Sequence, residues 1–134
     1  MINGIKLAVN RPIETDLIIS LYRNCGLPRP VNDQDRIAKM FANSNLVISA
    51  WFGDDLVGVA RSITDFAWCC YLADLAVRED FQKAGVGRAL IELTKETVGE
   101  GSMVLLLSVR HALEYYPKIK MERVENGFIF NRKF

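Results

Sequence analysis

The chain has 134 residues, 50% of them hydrophobic and 25% charged, the balance of a single globular domain with no room for a second core. Its 17 basic and 16 acidic residues leave a net charge of +1. They are interspersed, so the cationic face that a nucleic-acid partner needs is not visible, and no nucleic acid is expected. Three cysteines and one histidine, with no Cys-x-x-Cys spacing, supply neither a disulfide framework nor a zinc site, and no metal is expected. No cationic-then-apolar leader opens the chain and no apolar run approaches about 18 residues, so the expectation is a cytoplasmic protein without a membrane partner.

In chain order, Ile5 to Val9 is a short apolar segment and a first strand. Pro12 suits a helix start, and Leu17, Ile18, Leu21, Tyr22 and Cys25 recur at helical spacing before Gly26. Two prolines between Leu27 and Val31 make a loop. Asn32 or Asp33 can cap a second helix with Ile37, Met40 and Phe41 on one face. Leu46 to Phe52 and Leu56 to Thr64 form a hairpin about the turn Gly53-Asp54-Asp55. Cys70 to Val77 and Met103 to Val109 are apolar runs of strand length, separated by a helix over Gly87 to Val98 that Gly99 and Gly101 close. Ala112 to Ile119 is helical but interrupted by Pro117, and Asn126-Gly127 is a hairpin signal before Phe128 to Phe130. The fold class is α/β (an α+β mixed sheet): one domain over residues 1–134, with a central mixed sheet flanked by helices.

The informative segment runs from Asp74 through Leu75-Ala76-Val77 and Gln82-Lys83-Ala84-Gly85-Val86-Gly87-Arg88 into the amphipathic helix. A helix N-terminus carries unpaired N–H groups and a partial positive charge. Glycines there let a phosphate approach the backbone, and Lys83 and Arg88 add charge, so a diphosphate fits. A Walker loop would need Ser or Thr where Ala89 stands, and a dinucleotide fingerprint would need three glycines closer to the strand. Both nucleotide alternatives are poor matches.

Gln-x-x-Gly-x-Gly after a Leu-Ala-Val strand end, with Ala112-Leu113-Glu114-Tyr115-Tyr116 downstream, resembles the GNAT superfamily of N-acetyltransferases. The element order is similar over nearly the whole chain. The resemblance implies that acetyl-CoA is the acyl donor and that backbone amides from Gln82 to Arg88 hold its diphosphate. Leu75, Ala76 and Val77 would pair with the pantetheine arm as if it were a strand, and the thioester would lie where the strands ending at Val77 and Val109 splay. Tyr116 matches the tyrosine that protonates the departing thiolate in many members. Three positions depart from the family pattern. Lys120 and Met121 stand where the family often has Gly-Phe, Val109 stands where it often has asparagine, and Pro117 follows Tyr116 directly.

Asp74 is a carboxylate in an apolar run and needs a partner or a wet cavity. It is a candidate base or cation-binding group beside the thioester, and equally a structural hydrogen-bonding aspartate. The same choice between chemistry and packing applies to Tyr116. His111 could relay a proton or lie on the surface. Trp51, Phe66 and Trp68 could wall an acceptor pocket or pack in the core. Cys69 and Cys70 have nothing near them in sequence that would lower a thiol pKa. The function expected is transfer of an acyl group, acetyl above all, to a primary amine of a small molecule. The alternatives are a CoA-binding sensor or assembly module and a protein N-acetyltransferase. Exposed strands of a small sheet can pair between subunits, which admits a homodimer.

Overall fold

The computed structural model describes residues 3–134. Four antiparallel strands lie in chain order: β1 (Ile5–Val9), β2 (Leu46–Phe52), β3 (Asp55–Thr64) and β4 (Cys70–Val77). Helices α1 (Thr15–Arg23) and α2 (Gln34–Ala42) cover one face, where Ile18, Tyr22, Ile37, Val59 and Ala76 form a buried cluster. Helix α3 (Val86–Val98) covers the other face, with Leu90 and Ile91 packed on Ile48, Val57 and Leu72. Of the two cap candidates for α2 it is Asp33 that serves, its carboxylate accepting the Arg36 N–H at 3.1 Å.

The decisive irregularity is in β4. Arg61 stands opposite Asp74 and Ser62 opposite Leu72, so Ala73 is an extra residue, a β-bulge. An insertion of one residue exchanges the faces of everything after it. Cys70 and Leu72 point at α3, whereas Asp74 and Ala76 point at α1, and it is now Leu75 and Val77 that face α3.

The run from Met103 to Val109 was expected as a full strand. It pairs in parallel with β4 only at its beginning. The Met103 N–H donates to Trp68, the Leu105 N–H to Cys70 and the Leu72 N–H to Leu105, at 3.1, 2.9 and 2.8 Å, with one parallel bridge between Tyr71 and Leu105. The ladder stops at the bulge, because a bulge bends its strand and raises its twist. The expected hairpin at Asn126-Gly127 is absent among the described residues, and Phe128 and Phe130 lie fully exposed. A turn signal alone does not hold a hairpin that has no apolar layer to lie on.

After a 3-10 turn at Arg110–Ala112 comes the short helix α4 (Tyr115–Lys118). The Lys120 N–H donates to Pro117 and the Met121 N–H to Tyr116, at 3.0 and 3.1 Å, a left-handed cap that packs Met121 on the core. Lys120 therefore occupies φ +67° where the sequence pattern led one to look for glycine. That backbone costs an L-residue about 1–2 kcal/mol, partly offset by the greater chain entropy that glycine loses. Lys120→Gly is expected to raise the unfolding free energy by about 0.5–1 kcal/mol in urea denaturation at unchanged slope. A loss of stability would contradict the left-handed cap.

Candidate active site

The bulge and the short parallel ladder together open a cleft. The Arg78 N–H donates to Val57 of β3 at 2.8 Å. Strand residues alternate the edge to which they present their backbone groups, so Leu75 and Val77 turn theirs to the opposite, open edge. Residues 106–109 diverge on the far side, and the space between holds a cleft of about 500 Å³ walled by Leu72, Leu75, Val77, Leu106, Leu107 and Val109.

One end of the cleft is the entry to α3. Gly85 takes φ +86° immediately before the helix, a conformation that glycine adopts without strain. The first intrahelical bond in that turn is the Ala89 N–H to Gly85, at 3.0 Å, which leaves the N–H groups of Val86, Gly87 and Arg88 without helical acceptors. A Cβ on Gly87 would stand 3.6 Å from both the Tyr115 hydroxyl and Val77 Cγ2, so a longer side chain there would enter the cleft. The Gln82 side-chain amide donates to the Val77 carbonyl at 2.9 Å and ties the loop to the strand end. Lys83, itself at φ +65°, and Arg88, paired with Glu92 at 2.9 Å, bring positive charge to the same end.

Of the residues singled out in the sequence, Leu75, Val77, Gln82, Lys83, Gly85, Gly87, Arg88 and Tyr116 line this one cleft. The Ala76 and Val86 side chains are instead buried in the two cores, each 1% exposed, and Ala84 lies outside the cleft lining. Tyr116 packs against the α3-side core and meets Tyr115 edge to face with ring centroids 5.2 Å apart. Burial, and then the neighbouring Tyr115, raise the Tyr116 pKa above the ordinary phenol value, so it is a protonated donor at neutral pH. Trp51 is core, while Phe66 and Trp68 are exposed on the β3–β4 loop, away from the cleft. Burial raises the thiol pKa of Cys70.

Asp74 is 1% exposed and its oxygens are taken up on the α1 face. Oδ2 accepts from the Tyr22 hydroxyl at 2.8 Å and from Arg61 Nε at 2.7 Å, and Oδ1 accepts from Arg29 Nε at 2.6 Å. Burial alone would push its pKa up. The hydrogen bond and charge of Arg61, with Arg29 and Tyr22, outweigh that and hold it below the ordinary carboxylate value. The structural alternative thus describes Asp74 better than the base does, because the bulge turns it away from the cleft. The residues that sequence reasoning passed over are Arg29 and Ala73; Tyr115 entered it only as part of the Tyr116 motif. Arg29 reaches the cleft from the loop between α1 and α2, and no local pattern marked it.

The family model described as acetyltransferase (GNAT) family matches residues 15–120. The chain belongs to the GNAT family. No curated protein matches the sequence. Among solved structures, a protein from meticillin-resistant Staphylococcus aureus is 20% identical with a TM-score of 0.81, over 96% of this chain and 98% of that one. A GNAT-family acetyltransferase from Streptococcus pneumoniae is 19% identical with a TM-score of 0.79, covering 97% and 99%. An aminoglycoside acetyltransferase from an uncultured soil metagenomic sample, solved with sisomicin, is 20% identical with a TM-score of 0.69, covering 98% of each chain. At these identities the likeness is one of fold. Among the described residues no cluster of His, Cys, Asp or Glu could hold a metal, and no helix is long and apolar enough to cross a membrane.

Asp74→Asn tests the buried cluster. Removing one charge leaves two guanidinium groups short of a counter-ion, and the expected cost near neutrality is about 3–5 kcal/mol. Because the folded pKa is depressed, the stabilisation by Asp74 is complete above the unfolded carboxyl value of about 4 and is lost as pH falls through the folded value. Chemical denaturation across pH 2–7 should therefore show a smaller acid-induced loss in the variant than in the unaltered protein. An identical acid limb in both would contradict the assignment.

Proposed function

We propose that this GNAT-family chain transfers the acetyl group of acetyl-CoA to a primary amine of a small molecule. The observation that carries the proposal is one cleft with an unpaired strand edge along one wall and a glycine-entered helix N-terminus at one end. Backbone N–H groups must find acceptors. A pantetheine arm, with its amides spaced along an extended chain, offers acceptors to Leu75 and Val77, and a diphosphate offers them to the first turn of α3. Lys83 and Arg88 add charge at the diphosphate end.

When bound, acetyl-CoA supplies the acetyl group as a thioester, and the amine nitrogen forms its bond to the acyl carbon as the carbon–sulfur bond breaks. The chain's own residues hold the two partners and move protons. A lysine-like amine is neutral about one part in two thousand at pH 7, so its proton must leave before attack. Asp74, engaged by two arginines and a tyrosine, is not placed to take that proton, which leaves to solvent through the open cleft or by way of His111 on its lining. Tyr116, protonated at neutral pH and on the cleft wall, donates its hydroxyl proton to the departing sulfur. General acid assistance of this kind contributes about 10²–10⁴-fold, and orientation of the two reactants at least as much. No covalent enzyme intermediate is required.

Two variants test the assignment. Tyr116→Phe should lower kcat by about 10²-fold or more with the Kd for acetyl-CoA unchanged within about twofold. Equal turnover would remove Tyr116 from the mechanism. Gly87→Glu places a carboxylate in the helix's first turn, where it is tolerated by the fold but repels a diphosphate. Titration calorimetry should show acetyl-CoA affinity reduced by at least about 100-fold with the melting temperature of the free protein nearly unchanged. Full affinity in that variant would sink the assigned loop.

A further inference from the structure

The cleft has a charge bias that the acyl donor does not account for by itself. Among the described residues no aspartate or glutamate lines it, while Arg29, Lys83, Arg88 and Lys118 do. Lys83 and Arg88 sit at the diphosphate end. Arg29 sits at the bulge, where its Nη2 donates to the Ala73 carbonyl at 2.9 Å. Four residues of strand, about 13 Å, separate Ala73 from Val77. Arg29 is thus at the far end of the cleft, where an acceptor would enter.

The bonding of Arg29 is incomplete in a specific way. A guanidinium carries five N–H donors. Nε donates to Asp74 Oδ1 at 2.6 Å, Nη1 to the Pro28 carbonyl at 2.6 Å, and Nη2 to Ala73. Nε and Nη2 form one edge of the planar group, and that edge is consumed. What remains is one N–H on each terminal nitrogen, two donors for the two oxygens of a carboxylate. The side chain is 22% exposed, so the group is both fixed and reachable. The buried cluster behind it holds two arginines, Arg29 and Arg61, against the single carboxylate of Asp74, so its charge is one positive unit in excess.

We propose that the acceptor is an amino carboxylate, a free amino acid or a comparable small molecule, whose carboxylate is held by the two remaining N–H groups of Arg29. This rests on the acyltransferase reading and deepens it. A polyamine or an aminoglycoside would meet a cleft with cations and no acid to receive its ammonium groups. An amino carboxylate brings the counter-ion that the cleft lacks, and its carboxylate on Arg29 sets its nitrogen beside the bulge. Asp74 is then a positioning residue, acting through Arg29.

The test is a set of matched pairs: the common amino acids, their carboxamides, and spermidine as a polycation. Each is titrated by calorimetry into the protein saturated with coenzyme A, and each is then assayed for acetyl-CoA-dependent thiol release. At least one amino acid should bind at least about tenfold more tightly than its own carboxamide, and kcat/KM should follow the same order. Arg29→Lys keeps a charge beside Asp74 but removes the fork, and should erase the preference while coenzyme A still binds. Should that variant fail to fold, the pairs on the unaltered protein decide alone. Coenzyme A binding without any preference for the carboxylate, no amino acid binding at all, or tighter binding of spermidine would overturn this proposal by itself. Absence of coenzyme A binding would overturn the acyltransferase reading together with it.

Discussion

A carboxylate taken out of water must be matched by charge and hydrogen bonds, and Asp74 is matched three times over. Its partners come from α1 (Tyr22), from the loop after α1 (Arg29) and from β3 (Arg61). One buried group thus ties the helical layer to the one strand that borders the cleft. It can do so only because the extra residue at Ala73 turns Asp74 toward α1. The same residue ends the parallel ladder with the 103–105 segment and leaves the outer edge of the far half of β4 unpaired. The stability of the domain and the opening of its site have a common structural cause.

What the open edge provides is a set of fixed donors and acceptors that need no rearrangement when an extended ligand arrives. The cost of leaving them open is limited, since they lie in a cleft that water can enter. Gly85 and Gly87 contribute differently to its other end. The first supplies a left-handed turn into α3, and the second keeps the space above that turn clear of side chains. Tyr115 reaches over the loop, while Tyr116 is set deeper against the core, which explains its raised pKa.

The strands β1 to β4, the three longer helices and the glycine loop were legible in the sequence because their signals are local: period, cap and turn chemistry. Helix α3 was placed within a residue of its observed start, and the loop residues that line the cleft were named from the motif. The role of Asp74 was not legible, since its partners lie 13, 45 and 52 residues away and its orientation depends on a bulge that no local pattern announces. Arg29 was hidden for the same reason, being an arginine between two prolines in a loop. The Asn126-Gly127 signal failed in the opposite sense. The turn chemistry is present, but the exposed Phe128 and Phe130 have no layer of this chain to lie on. Lys120, in place of the glycine that the family pattern often has, still takes the left-handed conformation that closes α4.

The cleft between β4 and the diverging 106–109 segment is the proposed acyl-CoA site. Thermal unfolding with acetyl-CoA, and with ATP and NAD as controls, tests it. Ligand at about 100 times its Kd adds about 2.7 kcal/mol, which for a domain of this size is a rise in melting temperature on the order of 5–10 °C. That rise is expected with acetyl-CoA, and none of comparable size with ATP or NAD. No shift with acetyl-CoA in a well-folded sample, or an equal shift with ATP, would contradict it.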